Sequence, residues 1–571
     1  MFLPQLKDID AEREMIGAFR GYNHNLRIRN DEFYDMANMS SDLYPVLSPR
    51  GQRARVRQLA KPNGLFAHDK LCWVDGTAFY YDGEQKGTVA DSPKQMAAMG
   101  AYVLIWPDKA YYNTHTGEFG QLGCKVTVQG GVTASLCRLD GTAYEHYPLS
   151  DTAPAAPENG ALWVDTSGEK QVLKQYAASS GMWISIPTVY TKITGTGLGA
   201  GFSEYDGVTL SGMEEESLNG DFVLYGAGDD YVIVTAIAGQ AVSQSGPVTL
   251  ERKIPDMDFI TESENRLWGC SSQKHEIYAC KLGDPKNWNC FMGISTDSYA
   301  MTVGSGGDFT GACTHLGYVL FFKEDVIHRI YGTKPANYQL TNVESRGVEK
   351  GSEKSLVIVN ETLYYKSAQD VCAFQSALPS SISYPLGQGG YHSAAAGALG
   401  SKYYLSAKDA DGAGVMLVYD GARGLWHKED GAYALWFAGT GRDLYFINEA
   451  DGGLYSVMGD RESYAGDGAA LEGTVSWSLE TGDIGLESPD YKYISKIQLR
   501  MELDVGAKVE LALDSGSGQW ETKFAASATR KRSFTAPIIP RRCDTMRLKI
   551  TGSGGCRIYS LTHTIEQGSE R

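Results

Sequence analysis

Residues 65–84 read LFAHDKLCWVDGTAFYYDGE, in which two short runs of apolar and aromatic residues each end at an Asp-Gly dipeptide. These dipeptides are Asp75-Gly76 and Asp82-Gly83. Asp-Gly between apolar runs is typical of tight β-hairpin turns. The stretch therefore predicts consecutive antiparallel strands.

The same pattern recurs along much of the chain. Seven such units occupy residues 62–120 and 254–459, at about 38 residues per unit. Propeller blades of four short strands use ~40–45 residues each. The sequence therefore predicts a mainly β protein built on a seven-bladed β-propeller, with six and eight blades as the alternatives.

The composition favours the same fold. The chain has 571 residues, of which 66 are Gly and 34 are Tyr. Tyrosine pairs occur at Tyr80-Tyr81, Tyr111-Tyr112, Tyr364-Tyr365 and Tyr403-Tyr404. Because successive side chains of a strand point to opposite faces, each pair places one ring on either face of a sheet.

The rest of the chain divides around the repeated units. The predicted segments are an extended N-terminal arm at 1–61, the first blades at 62–120, inserted β domains at 121–195 and 196–253, the remaining blades at 254–459, a polar linker at 460–471 and a C-terminal β-sandwich at 472–571. The sandwich is predicted from strands that recur at ~8–12-residue spacing.

The charge is unevenly distributed along the chain. The net charge of −17 argues against a protein that holds nucleic acid by phosphate contacts. Residues 201–250 carry eight acidic side chains and no Lys or Arg, whereas residues 521–550 carry eight basic side chains and two acidic ones. Such asymmetry is able to register one subunit on another.

No targeting or catalytic motif stands out. Charged residues interrupt the N-terminal stretch, so neither a secretory signal nor a membrane segment is expected. The ten cysteines form no C-x-x-C pair, which favours buried free thiols in a chain made in a reducing cytoplasm. Because nucleophile, metal and nucleotide motifs were not found, we expect no catalytic residue, metal or cofactor and predict that the chain is not an enzyme.

Three segments resemble tail-stabilisation proteins (tail hub or nozzle proteins) of bacteriophages and prophages. The first is FRGYNHNLRIRNDEFYDMANMSSDLYPVLSPRGQR, the second VESRGVEKGSEKSLVIVNETLYYKSAQDVCAFQS and the third GFSEYDGVTLSGM followed by LNGDFVLYGAGDDYVIV. The matching positions are Asn38, Asp42, Leu47, Arg50 and Gly51 in the first segment and Gly347, Ser355, Asn360, Tyr364 and Val371 in the second. Asp370-Val371 departs from the Asn/Asp-Gly that such proteins usually have at this turn.

The resemblance implies a structural protein of the virion tail, assembled in the host cytoplasm. Several copies, expected as a homohexamer, would form a ring next to other tail or connector proteins. The insert would line a passage for genomic DNA without sequence-specific binding, because an acidic surface repels phosphates. The candidate lining residues are Glu214, Glu215, Glu216, Asp221, Asp229 and Asp230. The candidate inter-subunit basic residues are Arg50, Arg53, Arg55, Arg57, Arg530, Lys531, Arg532, Arg541 and Arg542.

Two other functions are compatible with the sequence. A host-recognition tail protein would bind surface carbohydrate through the propeller or the sandwich. A propeller glycosidase or lyase would take its carboxylates from separate blades, so the lack of a local motif does not exclude one.

Overall fold

The computed structural model describes residues 11–238 and 241–567 and is mainly β, as predicted. No α-helix occurs in these residues, which contain only short 3₁₀ helices at Glu216–Leu218, Pro335–Asn337, Glu353–Ser355 and Tyr384–Leu386. No helix in this part of the chain has the length and hydropathy of a membrane span. Parts of the predicted arm (1–10), insert (239–240) and C-terminal domain (568–571) lie outside the described residues.

Seven antiparallel sheets, numbered here along the chain, cover the described repeat region. Sheet 1 contains Pro62–Ala67, Leu71–Asp75, Ala78–Tyr81 and Glu84–Thr88, and sheet 2 contains Gln95–Met99, Tyr102–Trp106, Ala110–Asn113 and Phe119–Gln121. Sheet 3 contains Phe259–Ser263, Arg266–Ser271, Glu276–Ala279 and Tyr299–Thr302, and sheet 4 contains Gly311–His315, Tyr318–Phe322, Val326–Tyr331 and Gln339–Glu344. Sheet 5 contains Val357–Val359, Thr362–Lys366, Val371–Phe374 and Ser380–Ser381, and sheet 6 contains His392–Leu399, Lys402–Lys408, Gly414–Asp420 and Leu425–Lys428.

Sheet 7 takes strands from three distant parts of the chain. Its strands are Ala434–Gly439, Leu444–Asn448, Gly453–Ser456, Ala54–Gln58 and Ala470–Leu471, in that spatial order. Ala54 and Val56 are fully buried, while Arg55 and Arg57 alternate with them at partly exposed positions. The N-terminal segment is therefore an integral strand of the sheet at these residues, not an arm throughout.

Sheet 1 shows why the Asp-Gly sequences fold as predicted. The carboxylate of Asp75 accepts hydrogen bonds from the backbone N–H groups of Ala60 and Lys61 at 3.2 and 2.6 Å. Gly76 has a φ of +58°, a left-handed conformation that glycine adopts without a steric penalty. Phe79 and Trp73 on the adjoining strands are fully buried.

The C-terminal residues and two N-terminal strands form one eight-stranded sheet. Its strands are Ala11–Ile16, Phe33–Ala37, Ser476–Thr481, Lys492–Asp514, Glu521–Thr535, Arg542–Cys543, Arg547–Ser553 and Cys556–Gln567. The long strand Lys492–Asp514 pairs with Cys556–Gln567 along its first half and with Arg547–Ser553 along its second. Side chains from both halves share one apolar core. A two-stranded sheet joins Met39–Ser40 to Ser48–Pro49.

The insert also contains two sheets. The larger one contains Cys124–Val128, Gly131–Cys137, Tyr190–Thr194, Gly207–Ser211, Gly220–Gly228, Tyr231–Val234, Val242–Ser245 and Val248–Arg252. The smaller one, which we call the nested sheet, contains Leu149–Ser150, Leu162–Asp165, Val172–Ala177 and Met182–Ser185. Strands from both sides of the predicted division at residue 195 lie in the larger sheet, because a shared apolar core holds them together.

The chain forms two compact units. The first covers residues 11–94, 321–328 and 342–567 of the described chain, and includes sheets 1, 5, 6 and 7 and the C-terminal sheet. The second covers residues 95–320 and 329–341, and includes sheets 2 and 3 and both sheets of the insert.

Candidate functional site

An acidic loop connects two strands of the insert and carries most of the candidate lining residues. We define the acidic loop as residues 212–221, between Gly207–Ser211 and the body of the strand Gly220–Gly228. Met213 and Leu218 are buried in the core of the insert, which forces the residues between them outward. The side chain of Asn219 fixes the turn, because it accepts a hydrogen bond from the Met213 N–H at 2.9 Å and donates to the Met213 carbonyl at 2.7 Å.

The acidic loop presents its carboxylates to solvent. Glu214, Glu216 and Asp221 are exposed, and Glu215 is half-buried and accepts a hydrogen bond from Ser217 at 2.9 Å. None of the four forms an ion pair with a Lys or Arg among residues 11–238 and 241–567. The loop is thus a concentrated negative surface that the described chain does not neutralise.

Two of the predicted lining residues lie elsewhere. Asp229 and Asp230 form the turn at the far end of the nine-residue strand Gly220–Gly228, about 26 Å from its start if the strand is extended. Asp230 accepts a hydrogen bond from the Gly197 N–H at 2.7 Å, so its carboxylate stabilises a neighbouring turn. The six carboxylates therefore do not form one patch, because the strand separates them.

Asp206, from the same acidic run, is buried and structural. Its carboxylate pairs with the buried guanidinium of Arg252 and accepts a hydrogen bond from the Asn287 amide at 2.8 Å. The run of eight acidic residues is therefore less uniform on the surface than in the sequence.

A basic segment lies on the C-terminal sheet. Arg530, Lys531 and Arg532, which we call the basic strand, are exposed within the strand Glu521–Thr535. Lys531 Nζ lies 3.8 Å from the ring centroid of Tyr559, and the Arg532 guanidinium lies 4.3 Å from that of Phe534. No carboxylate in the described chain pairs with these three residues. The aromatic rings orient Lys531 and Arg532 without neutralising them.

Arg541 and Arg542 are also exposed, Arg541 next to this sheet and Arg542 in its strand Arg542–Cys543. Arg541 is 3.4 Å from a carboxylate oxygen of Glu521, and Arg542 lies 5.7 Å from the ring centroid of Tyr491. They extend the positive surface of the C-terminal sheet, and their inter-subunit role stays a prediction.

Arg50 and Arg53 differ from the expected inter-subunit role. Both are buried and pair inside the chain with Glu429, Asp430 and Glu472. Because both guanidiniums are buried and paired with carboxylates of their own chain, they are not accessible to another subunit, and these residues stabilise the fold. Their carboxylate partners were not predicted, because no local sequence signal links residues that are 376 to 422 positions apart.

Electrostatics support this reading of the arginine–carboxylate cluster. Burial alone would lower the pKa of Arg53, but Glu429 and Asp430 outweigh it and raise the pKa above its ordinary value. Burial raises the pKa of Glu472, but hydrogen bonds from Arg50 and from the Arg53 N–H hold it below the ordinary value. Arg53 and Glu472 are therefore both charged near neutral pH.

Arg55 and Arg57 also contact their own chain. Arg55 Nε donates to the Gly468 carbonyl at 2.8 Å, and the Arg57 guanidinium lies 5.1 Å from the ring centroid of Trp73. Both are partly exposed. They secure the strand Ala54–Gln58 against the linker and sheet 1.

Metal-ligating side chains do not converge in the described part of the chain, where no group of three or more His, Cys, Asp and Glu has the geometry to hold an ion. The ten cysteines are free thiols, eight of them buried. Burial raises the pKa of Cys72 and Cys313, which disfavours their thiolates.

No protein-family model and no curated protein matches the chain. Solved structures similar to parts of it include an exo-β-1,3-galactanase from Phanerochaete chrysosporium (8% identity, TM-score 0.20, 52% of this chain and 92% of that chain). They also include Hsv2 of Kluyveromyces lactis (11% identity, TM-score 0.24, 49% of this chain and 67% of that chain). An engineered family 43 glycoside hydrolase with endo-xylanase and exo-arabinofuranosidase activity is 11% identical, with a TM-score of 0.20 over 54% of this chain and 97% of that chain.

These comparisons correct one expectation. The prediction that the chain is not an enzyme is contradicted by glycoside hydrolases among the structural matches, and we do not retain it. At such low identities and TM-scores, no activity or substrate of these proteins carries over to this chain.

Proposed function

We propose that the chain is a structural protein of a bacteriophage or prophage tail, in which copies of it form a ring around the passage for genomic DNA. The proposal starts from the three segments that resemble tail-stabilisation proteins. The charged surfaces support it: one chain carries an exposed acidic loop and an exposed basic strand, and neither is neutralised by the described chain. The presence of two exposed surfaces of opposite charge on one chain is the observation on which the proposal depends.

We further propose that sheets 1 to 7 are the blades of a seven-bladed β-propeller and that the two halves of the C-terminal sheet pack over their shared core as a β-sandwich. The number of sheets and the in-order pairing of four strands in six of them support the propeller. The strand Ala54–Gln58 supports it too, because a strand from one end of the chain commonly closes a circular arrangement by completing the last sheet.

The acidic loop is proposed to face the DNA. Glu214, Glu216 and Asp221 would repel phosphates, so that DNA slides past without binding. The basic strand would contact the next copy or a neighbouring tail or connector protein. A contact between two different surfaces of identical copies is heterologous and closes into a ring when its rotation is a simple fraction of a turn.

Neutralising each surface separately tests the proposal. Replacing Arg530, Lys531 and Arg532 with Gln should weaken self-association at least about tenfold in sedimentation, since charge-assisted contacts across the interface are lost. Replacing Glu214 and Glu216 with Gln and Asp221 with Asn should leave the ring intact and slow DNA release from assembled particles. The matched control replaces Glu158 and Glu169, exposed in or beside the nested sheet, with Gln. Unchanged association of the basic-strand variant together with unchanged DNA release of the acidic-loop variant would contradict the proposal.

One observation favours a second function, the recognition of host carbohydrate. On one face of the nested sheet, the ring of Trp183 lies 5.4 Å from those of both Trp163 and Tyr176, measured between centroids. Trp183 and Tyr176 are half-buried, so parts of both rings remain available to stack on a sugar. A glycan array distinguishes the two functions. Binding of the native protein to a glycan that is lost in Trp183→Ala would favour carbohydrate recognition, and no binding of the native protein to any glycan would count against carbohydrate recognition.

A further inference from the structure

A cavity of about 530 Å³ lies against the C-terminal sheet. Its walls come from the strand Ala11–Ile16, the loop at residues 485–488 and the strand Cys556–Gln567. Its volume falls within the ~300–1,000 Å³ of small-molecule sites in proteins. Neither charged surface described above includes it.

The cavity is lined by carboxylates that no Lys or Arg within residues 11–238 and 241–567 neutralises. Glu14 Oε2 accepts a hydrogen bond from Asn30 Nδ2 at 2.7 Å, which orients the carboxylate. Glu12 and Glu487 also line the cavity and form no ion pair with a Lys or Arg in the described chain. The cavity therefore offers three carboxylates to a ligand.

The one lysine of the cavity serves another purpose. Lys492 is buried, and its Nζ donates to the carbonyls of Gly485 and Ser488 at 2.7 and 2.6 Å. These bonds fix the loop that carries Glu487. The ammonium is thus committed to backbone carbonyls, and its nearest carboxylate is that of Asp544, at 3.8 Å.

A buried histidine in the wall of the cavity has an unpartnered ring nitrogen. His563 is 2% exposed, and its Nε2 lies 3.2 Å from Glu14 Oε2. Burial lowers the pKa of His563 below its ordinary value against the opposing effect of Glu14, Glu12 and Glu487, which favours the neutral ring. The contact with Glu14 then assigns the proton to Nε2, so Nδ1 is an acceptor, and it has no partner among the described residues. Buried polar atoms generally have a hydrogen-bond partner, so this nitrogen is a candidate acceptor for an N–H of a ligand.

We propose that this cavity binds a guanidinium group between the carboxylates of Glu14 and Glu487, with a further N–H donated to His563. A guanidinium has five donors in a planar fork and no acceptor, which matches a site that has acceptors and negative charge. Its source is either a small guanidinium compound or an arginine of a second copy of this chain, such as Arg530 or Arg532. The site does not depend on the proposed ring.

Methylguanidinium and its neutral isostere methylurea test the guanidinium site directly by saturation-transfer NMR. Methylguanidinium should bind at least about tenfold more tightly, because only the cation gains charge-assisted bonds. Glu487→Gln should weaken its binding about tenfold. Glu487 is exposed and outside the core, so Glu487→Gln should fold. Near-UV circular dichroism checks that Glu14→Gln is folded. Glu169→Gln, in the insert, should bind like the native protein. Equal binding of the two compounds, or native affinity in both cavity variants, would overturn the proposal.

A peptide distinguishes the two sources. A synthetic peptide of residues 526–535 contains Arg530 and Arg532, and its control has Gln at both positions. Binding of the native peptide that is lost in the control and in Glu487→Gln assigns the site to a second copy. Binding of methylguanidinium without binding of the peptide assigns it to a small molecule. Binding of neither overturns the site.

Discussion

Arg50 and Glu472, 422 residues apart in the sequence, form a two-pronged ion pair in which Nη1 is 2.7 Å from Oε2 and Nη2 is 2.8 Å from Oε1. The same carboxylate accepts a hydrogen bond from the Arg53 N–H at 3.0 Å, just before the strand Ala54–Gln58. The pair thus joins the N-terminal segment of sheet 7 to the start of the C-terminal domain.

Removing a carboxylate of this cluster should lower the free energy of unfolding, and the loss should be larger for the more deeply buried carboxylate. Glu429 is almost completely buried against Arg53, so Glu429→Gln should cost about 3 kcal/mol by leaving a buried charge unpaired. Glu472 is one-third exposed, so Glu472→Gln should cost only about 1 kcal/mol. Urea unfolding, monitored by tryptophan fluorescence, measures both changes in the free energy of unfolding. Glu462→Gln in the exposed linker is the control. Equal effects at the three positions would show that the cluster does not hold the strand.

Packing of the closing strand predicts a second effect. Val56 is fully buried, whereas Val505 is 99% exposed. Val56→Ala should therefore cost about 2 kcal/mol in the free energy of unfolding through the lost contacts and the cavity. Val505→Ala should change it by less than about 0.5 kcal/mol. If the two variants unfold alike, the strand is not a packed part of sheet 7.

Gly347, one of the positions in the resemblance to tail proteins, should tolerate no side chain. A Cβ at this residue would overlap the backbone carbonyl of Lys323, which has little freedom to move. Gly347→Ala should cost about 2 kcal/mol or more in thermal unfolding. Gly473→Ala, where a Cβ meets open space, is the control and should be neutral. A neutral Gly347→Ala would show that the two backbone segments are not in contact.

Acid should destabilise the protein in the range where buried histidines titrate. Burial and Lys402 lower the pKa of His427 from 6.5 to about 4. Because the unfolded chain binds the proton first, stability is complete above pH 6.5 and is lost as the pH falls towards 4. In His427→Asn the melting temperature should fall less over this range. His146→Asn, at an exposed position, should follow the native curve, and a native curve for His427→Asn as well would refute the prediction.

The features of the fold that depend on neighbouring residues could be predicted from the sequence. Asp75-Gly76 and the apolar run around Trp73 were sufficient for the hairpins of sheet 1, since the turn residues and the buried side chains are neighbours in the chain. The tyrosine pairs show a partial success: Tyr80 is half-buried, but the two rings at residues 364–365 and 403–404 are all buried, so both faces of those strands are covered.

Long-range pairing could not be predicted in the same way. Ala54–Gln58 alternates Ala and Val with Arg, a weak apolar signal, and only its partner strand Gly453–Ser456 reveals it as part of sheet 7. Among the candidate site residues, exposure of the basic strand and of Glu214 and Glu216 agreed with their charge pattern. The burial of Arg50 and Arg53 could not be predicted from their charge pattern, because their carboxylate partners are distant in sequence.

The mass of the purified protein in solution tests the central claim most directly. Mass photometry combined with negative-stain electron microscopy should find closed rings with a mass near six times 62.2 kDa. The basic-strand variant should give smaller species under the same conditions. A single species of 62.2 kDa at every concentration, with no ring in the images, would contradict the proposal that this chain forms a ring around DNA.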